Sequence, residues 1–117
     1  MFNSADYWEK RYQSGKNSGA GSYRRLARFK ADFINRLIME ASIESVIDFG
    51  CGDGNQLSLL KPVPYIGVDV SHTALASLRV RFADQPLFAF VHSKDLAAAQ
   101  LCDLAMSNDV IYHLVED

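Results

Sequence analysis

Cysteine is scarce, with two residues in 117, which leaves no disulfide framework and no cysteine-based metal site. Cys51 falls just past one apolar run and Cys102 at the start of another. In parallel neighbouring strands the two thiols would stand roughly 16 Å apart, whereas a disulfide holds its Cα atoms within about 7 Å. Long hydrophobic runs are missing too. None approaches the roughly 18 residues that span a membrane, and Met1-Phe2-Asn3-Ser4-Ala5-Asp6 lacks the basic-then-apolar order of a signal peptide, so a cytoplasmic protein is expected. There is no repeat and no low-complexity tract. The three histidines, His72, His92 and His113, lack the i, i+4 pairing of a metal site, and no metal is implied.

A net charge of −2 and the lack of a recurring aromatic-interleaved basic patch argue against a nucleic-acid partner. The small net value hides an asymmetry: residues 1–36 hold eight Lys/Arg against three Asp/Glu, and residues 37–117 hold four against eleven. One reading is a solvated basic helix face beside a carboxylate-rich rim; the other is a basic N-terminal arm that meets an anionic group of a substrate or cofactor. At this length the chain has room for one small domain.

Residues 1–40 read as two helices. Residues 5–13 form a short one with Tyr7, Trp8, Arg11 and Tyr12 on one side. The Gly/Ser-rich segment 14–22 follows as a hinge, and Ser22 caps a second helix running to about Glu40. Leu26, Phe29, Phe33 and Leu37 fall on one face of it, with Ile34 and Ile38 beside them. Residues 45–117 alternate between strand and helix, with strands at 45–49, 65–69, 87–91 and 101–107. Between them lie a short helix from Asn55 to Leu60, stopped by Pro62 and Pro64, a helix capped by Ser71 with Leu75, Leu78 and Phe82 inward, and one or two turns from Asp95 to Gln100. Apolar strands joined by helical crossovers predict an α/β fold, a doubly wound parallel sheet covered on both faces.

The chemistry is concentrated where the first two strands end. Val46-Ile47-Asp48-Phe49 opens into Gly50-Cys51-Gly52-Asp53-Gly54-Asn55, and Tyr65-Ile66-Gly67-Val68 ends in Asp69. Glycines after a strand let backbone approach a ligand, and an acid at the end of the next strand accepts ribose hydroxyls. The spacing is G-x-G-x-G, and Asn55 stands where a dinucleotide motif needs its third glycine. An adenosine-type cofactor other than NAD is therefore expected.

These segments, together with Asp103-Leu104-Ala105-Met106-Ser107-Asn108-Asp109-Val110-Ile111-Tyr112-His113-Leu114, resemble class I S-adenosylmethionine-dependent methyltransferases. Tyr7-Trp8-Glu9-Lys10-Arg11-Tyr12 and Gly19-Ala20-Gly21-Ser22-Tyr23 are similar to the opening of bacterial members that modify small molecules. The resemblance implies a Rossmann-like fold, S-adenosylmethionine as cofactor and methyl transfer to a small-molecule acceptor. It places Gly50, Cys51 and Gly52 around the methionine and ribose, Asp69 on the ribose and Val70 against the adenine. Asp95, or Ser93 in its stead, would meet the adenine amino group. Asn108 would offer its carbonyl to the methionine ammonium, and Asp48 would lie below the methionine portion, where an anion suits a sulfonium. His113 is a candidate general base or a packing residue, and no catalytic residue is assigned. Members of this class have seven strands and this sequence matches four. It therefore reads as a domain truncated after the fourth strand, with an edge expected to self-associate. The rival readings are a non-catalytic cofactor-binding or interaction fragment and, further off, an NAD-dependent oxidoreductase.

Overall fold

The computed structural model describes residues 3–17, 24–96 and 102–107. Helix α1 spans Ser4–Gln13 and starts where the Asn3 side chain accepts from the Asp6 amide at 3.1 Å, satisfying one of the amides that every helix start leaves over. Helix α2 spans Arg24–Glu40, β1 Val46–Phe49, β2 Tyr65–Asp69, α3 His72–Arg81, β3 Phe88–His92 and β4 Leu104–Met106, with short 3-10 turns at Leu57–Leu59 and Ser93–Asp95.

The four strands form one parallel sheet in the order β3-β2-β1-β4. The chain moves outward from β1 to β3 and returns to the far side of β1 for β4. The strand order therefore reverses between β1 and β4, where doubly wound sheets place their ligand crevice. Val46, Tyr65, Phe88 and Leu104 stand in one row of the register, and Asp48, Gly67, Phe90 and Met106 in the next row on the same face. Onto that face pack Ala31, Ile34 and Ile38 of α2, Leu57 and Leu60, and Leu75 and Leu78 of α3. Tyr65, Phe82, Phe88 and Phe90 add an aromatic cluster with ring centroids 5.4–6.2 Å apart. The entry to β4 is pinned to that of β1: the Asp103 amide donates to Ser45 Oγ at 3.0 Å, and the Glu44 amide donates to Asp103 Oδ2 at 2.7 Å.

Three expectations change. On α2 the apolar face read from helical spacing is not the buried one: Ala27, Ala31, Ile34 and Ile38 are buried, while Leu26, Phe29 and Phe33 are exposed, Phe29 by 70% and Phe33 by 64%. Alanines bring the helix backbone close enough for polar clamps. Gln56 Nε2 donates to the Ala27 carbonyl at 3.0 Å, and Asn35 bridges the Leu59 carbonyl and the Lys61 amide. The expected helix from Asn55 to Leu60 shortens to a single 3-10 turn, because the three glycines before it take left-handed conformations and Pro62 and Pro64 follow. The third strand runs one residue later than expected, and the fourth is three residues long. Ser22 and most of the 14–22 hinge lie outside the described residues, as do Leu101, Asn108, His113 and, but for Asp95 and Leu96, the expected turns to Gln100. The described helices α2 and α3 lie on the same face of the sheet, so the expected cover on the opposite face also falls outside them. Among the described residues, no helix is long and apolar enough to cross a membrane.

Candidate functional site

Gly50, Gly52 and Gly54 have φ of 78°, 70° and 88°, the left-handed region that side chains disfavour. The turn is fastened at once to the neighbouring strand. The amides of Gly50 and Cys51 both donate to the Val68 carbonyl, at 2.7 and 3.1 Å. At Gly54 a Cβ would meet Leu78 Cδ2 at 2.7 Å and Phe82 Cε2 at 2.9 Å. The close approach at this glycine is therefore to the α3 segment.

Asp69, at the end of β2, is 6% exposed and bonded on both oxygens: Oδ2 accepts from the Gly52 amide and Oδ1 from the Ser71 amide, each at 3.0 Å. It is thus the brace between the glycine turn and the β2–α3 corner. Each carboxylate oxygen keeps a second lone pair, so the brace and a ribose contact are compatible. Burial pushes its pKa up, opposed by the amides of Gly52, Ser71 and Val70 and by His92. Ser71, not Asp69, caps α3, with its side chain accepting from the Ala74 amide at 3.1 Å.

Asp48 differs. It is 5% exposed and accepts from the Tyr65 hydroxyl at 2.8 Å through Oδ2, while buried Oδ1 has no hydrogen-bond partner among the described residues. Burial pushes its pKa up to about 7; the Tyr65 hydrogen bond and Lys30 oppose this, and the charge of Asp69 adds to it. Cys51 is buried and free. Burial, then Asp69 and Asp48, raise its thiol pKa, so it is a packing thiol and not a nucleophile.

Val70 is half-buried, and its carbonyl lies 3.0 Å from His92 Nε2. The Lys94 amide donates to His92 Nδ1 at 3.2 Å, which assigns the ring proton to Nε2 and makes the contact with Val70 a donated hydrogen bond. His72 and His92 stack with centroids 4.1 Å apart and planes 13° apart. No group of three or more ligand-type side chains suited to a metal occurs among the described residues. Asp69 pairs with His92 in the register, so the turn Ser93–Asp95 leaves the sheet at the same rim. Both Ser93 and Asp95 are exposed there. The structure thus brings Asp48, the glycine turn, Asp69, Val70 and the Asp95 turn to one end of the sheet.

Three contributors were not foreseen. Tyr65 holds Asp48. At Gly67 a Cβ would meet Phe90 Cδ1 at 2.8 Å and Cys51 Sγ at 2.9 Å, so this glycine makes room for Cys51 over β2. Glu9 of α1 reaches the start of α3, accepting from the His72 amide at 2.7 Å, the Thr73 amide at 3.2 Å and the Thr73 hydroxyl. The G-x-D spacing before Asp69 signals a close approach at Gly67; no local pattern signals Glu9.

A family profile described as a methyltransferase domain matches residues 22–116. No curated protein matches the sequence. Among solved structures, the CurJ carbon methyltransferase superposes with a TM-score of 0.60 at 17% identity, covering 74% of this chain and 29% of that one. Phosphoethanolamine N-methyltransferase 1 of Haemonchus contortus, solved with phosphoethanolamine and S-adenosylhomocysteine, gives 0.56 at 15% identity, covering 89% and 24%. DesVI of Streptomyces venezuelae gives 0.51 at 20%, covering 92% and 43%. The chain spans less than half the length of each of these three, and at such identities the likeness is one of fold.

Proposed function

Because the chain belongs to the methyltransferase-domain family, we propose that the end of the sheet carrying Asp48, the glycine turn and Asp69 binds S-adenosylmethionine. In this reading the chain is the cofactor-binding part of an enzyme that methylates a small-molecule acceptor. The observation that carries it is the brace from Asp69 to the Gly52 amide, which fixes a left-handed turn beside an acid that still has lone pairs to offer. The residues fit the cofactor. Buried Asp48, with one oxygen unpartnered among the described residues, would favour a cation and oppose the pyrophosphate of NAD, whereas Asp69 suits the ribose of either cofactor.

Gly50, Cys51 and Gly52 would border the methionine and ribose, and Asp48 would lie beneath them. Asp69 would accept from the ribose hydroxyls, Val70 would lie against the adenine, Asp95 or Ser93 would meet its amino group, and the Asn108 carbonyl would take the ammonium. When bound, the cofactor supplies an electrophilic methyl on a sulfonium. The protein's part is to hold the acceptor nucleophile in line with that methyl, a proximity effect. The carbon and nitrogen acceptors named for CurJ and for the Haemonchus enzyme support methyl transfer on this fold without fixing the acceptor here. A cytoplasmic location belongs to the same reading, supported by two free thiols. So does self-association along β4, which among the described residues has β1 as its one strand neighbour and lies beside exposed Phe29 and Phe33; sedimentation reads that directly.

The test of the cofactor is a thermal melt with S-adenosylhomocysteine or NAD. At 100 times its dissociation constant the bound ligand stabilises by about 2.7 kcal/mol. The reading expects the shift from the sulfur ligand and fails if NAD gives the larger one.

A further inference from the structure

A helix start leaves its first amides without intrahelical acceptors, and in α3 they are answered from two sources. Ser71 Oγ takes the Ala74 amide, and the Ser71 carbonyl takes that of Leu75 at 3.1 Å. The amides of His72 and Thr73, together with the Thr73 hydroxyl, go to Glu9, more than sixty residues earlier in the chain. Gln13 Nε2 steadies that carboxylate from the next turn of α1, at 3.3 Å. The helix dipole favours an anion at this end. Burial pushes the Glu9 pKa up, but the bonds from Thr73, Ser71 and His72 outweigh it and hold it below the ordinary value.

The same corner leads straight to the candidate site. Ser71, which caps α3, also donates its amide to Asp69, and Asp69 braces Gly52. Glu9 therefore ends a continuous polar chain running from α1 through the α3 start and Asp69 to the glycine turn. On either side of Glu9, α1 carries an aromatic row. Trp8 meets Tyr7 edge-on at 5.3 Å and stacks on Tyr12 at 5.8 Å, with the Arg11 guanidinium 5.8 Å from the indole centroid.

We infer that Glu9 is a positioning residue that seats α1 on the first turn of α3, as a wall at the nucleotide end of the cofactor site. The inference rests on the cofactor reading above. It assigns Glu9 no chemistry: Glu9 sets where α1 sits and, through Ser71 and Asp69, how firmly the ribose end of the site is held.

Trp8 is the chain's one tryptophan, so its fluorescence reports the seating of α1 independently of any ligand. The experiment compares the wild-type chain with Glu9→Ala, Glu9→Gln and Thr73→Val by acrylamide quenching of Trp8 and by calorimetric titration with S-adenosylhomocysteine. Glu9→Ala should expose Trp8 to the quencher and weaken the ligand about tenfold, the scale of a lost helix cap. Glu9→Gln, which keeps an acceptor oxygen, should recover part of both, and Thr73→Val should fall between. If circular dichroism shows Glu9→Ala unfolded, Thr73→Val decides by the same two readings. Unchanged quenching in the variants overturns the seating. Raised quenching with unaltered ligand affinity overturns the link to the site. If the wild type binds no S-adenosylhomocysteine, the cofactor reading and the link resting on it both fall, while quenching still decides the seating.

Discussion

The ends of β1 and β2 each carry a buried acid, and the two are held in opposite ways. Asp69 has both oxygens on backbone amides of the segments it joins, Gly52 and Ser71. Asp48 has one oxygen on the Tyr65 hydroxyl and the other without a partner among the described residues. Backbone amides favour a carboxylate's charged form; burial with one neutral partner favours its neutral form. The β2 end is thus a finished structural joint, whereas the β1 end keeps an electrostatic demand that a cationic ligand would meet.

Proton linkage should show the largest effect. A folded-state pKa of about 7 for Asp48 lies above the unfolded value, so the folded chain binds the extra proton. That contribution is fully present below about pH 4 and is lost as pH rises through about 7. It amounts to as much as about 4 kcal/mol. Asp69, also raised, acts in the same sense. Glu9, held low, acts in the opposite sense, its contribution being lost as pH falls through its folded value. Denaturant melts from pH 4 to 8 should show stability falling toward pH 8 in the wild type and a clearly flatter profile in Asp48→Asn. Equal slopes would remove the contrast between the two acids.

Asp69→Ala comes next. It strands two amides near the glycine turn and should cost about 2–4 kcal/mol in a thermal melt, besides weakening S-adenosylhomocysteine by about 10- to 150-fold. A variant that loses affinity but no stability would show that the brace is not structural. Gly67→Ala should cost about 1–3 kcal/mol, because the new methyl meets Phe90 and Cys51 below van der Waals distance; a neutral result would mean that these side chains give way freely. The smallest effect belongs to Phe33→Ser on the exposed side of α2, within about 0.5 kcal/mol of wild-type stability at protein concentrations dilute enough to keep the chain monomeric. A large loss there would mean that the apolar face read from helical spacing is the buried one.

That last contrast shows where sequence reading succeeds and where it stops. The strand positions, the parallel sheet, the glycine turn and Asp69 are legible because alternation, glycine spacing and an acid at a strand end are local signals. The buried face of α2 is not. Phe29 and Phe33 outweigh Ala27 and Ala31 in any hydrophobic pattern, yet Gln56 and Asn35, from across the fold or within the helix itself, fix which side faces in. Glu9 looks like a solvated helix charge until α3 is folded beside it. Asp48 is legible as an acid at the end of an apolar run, but its hydrogen-bond partner among the described residues, Tyr65, follows only from the register of β1 with β2.

The proposed cofactor site lies where β1 and β2 end. The most direct test is an amide-resolved NMR titration of the chain with S-adenosylhomocysteine. The largest shifts should fall on Gly50, Gly52, Asp69, Val70 and the Asp95 turn, with α2 around Phe29 and Phe33 unmoved. Saturating ligand that leaves those amides in place, or shifts confined to the groove between α2 and β4, would contradict that placement.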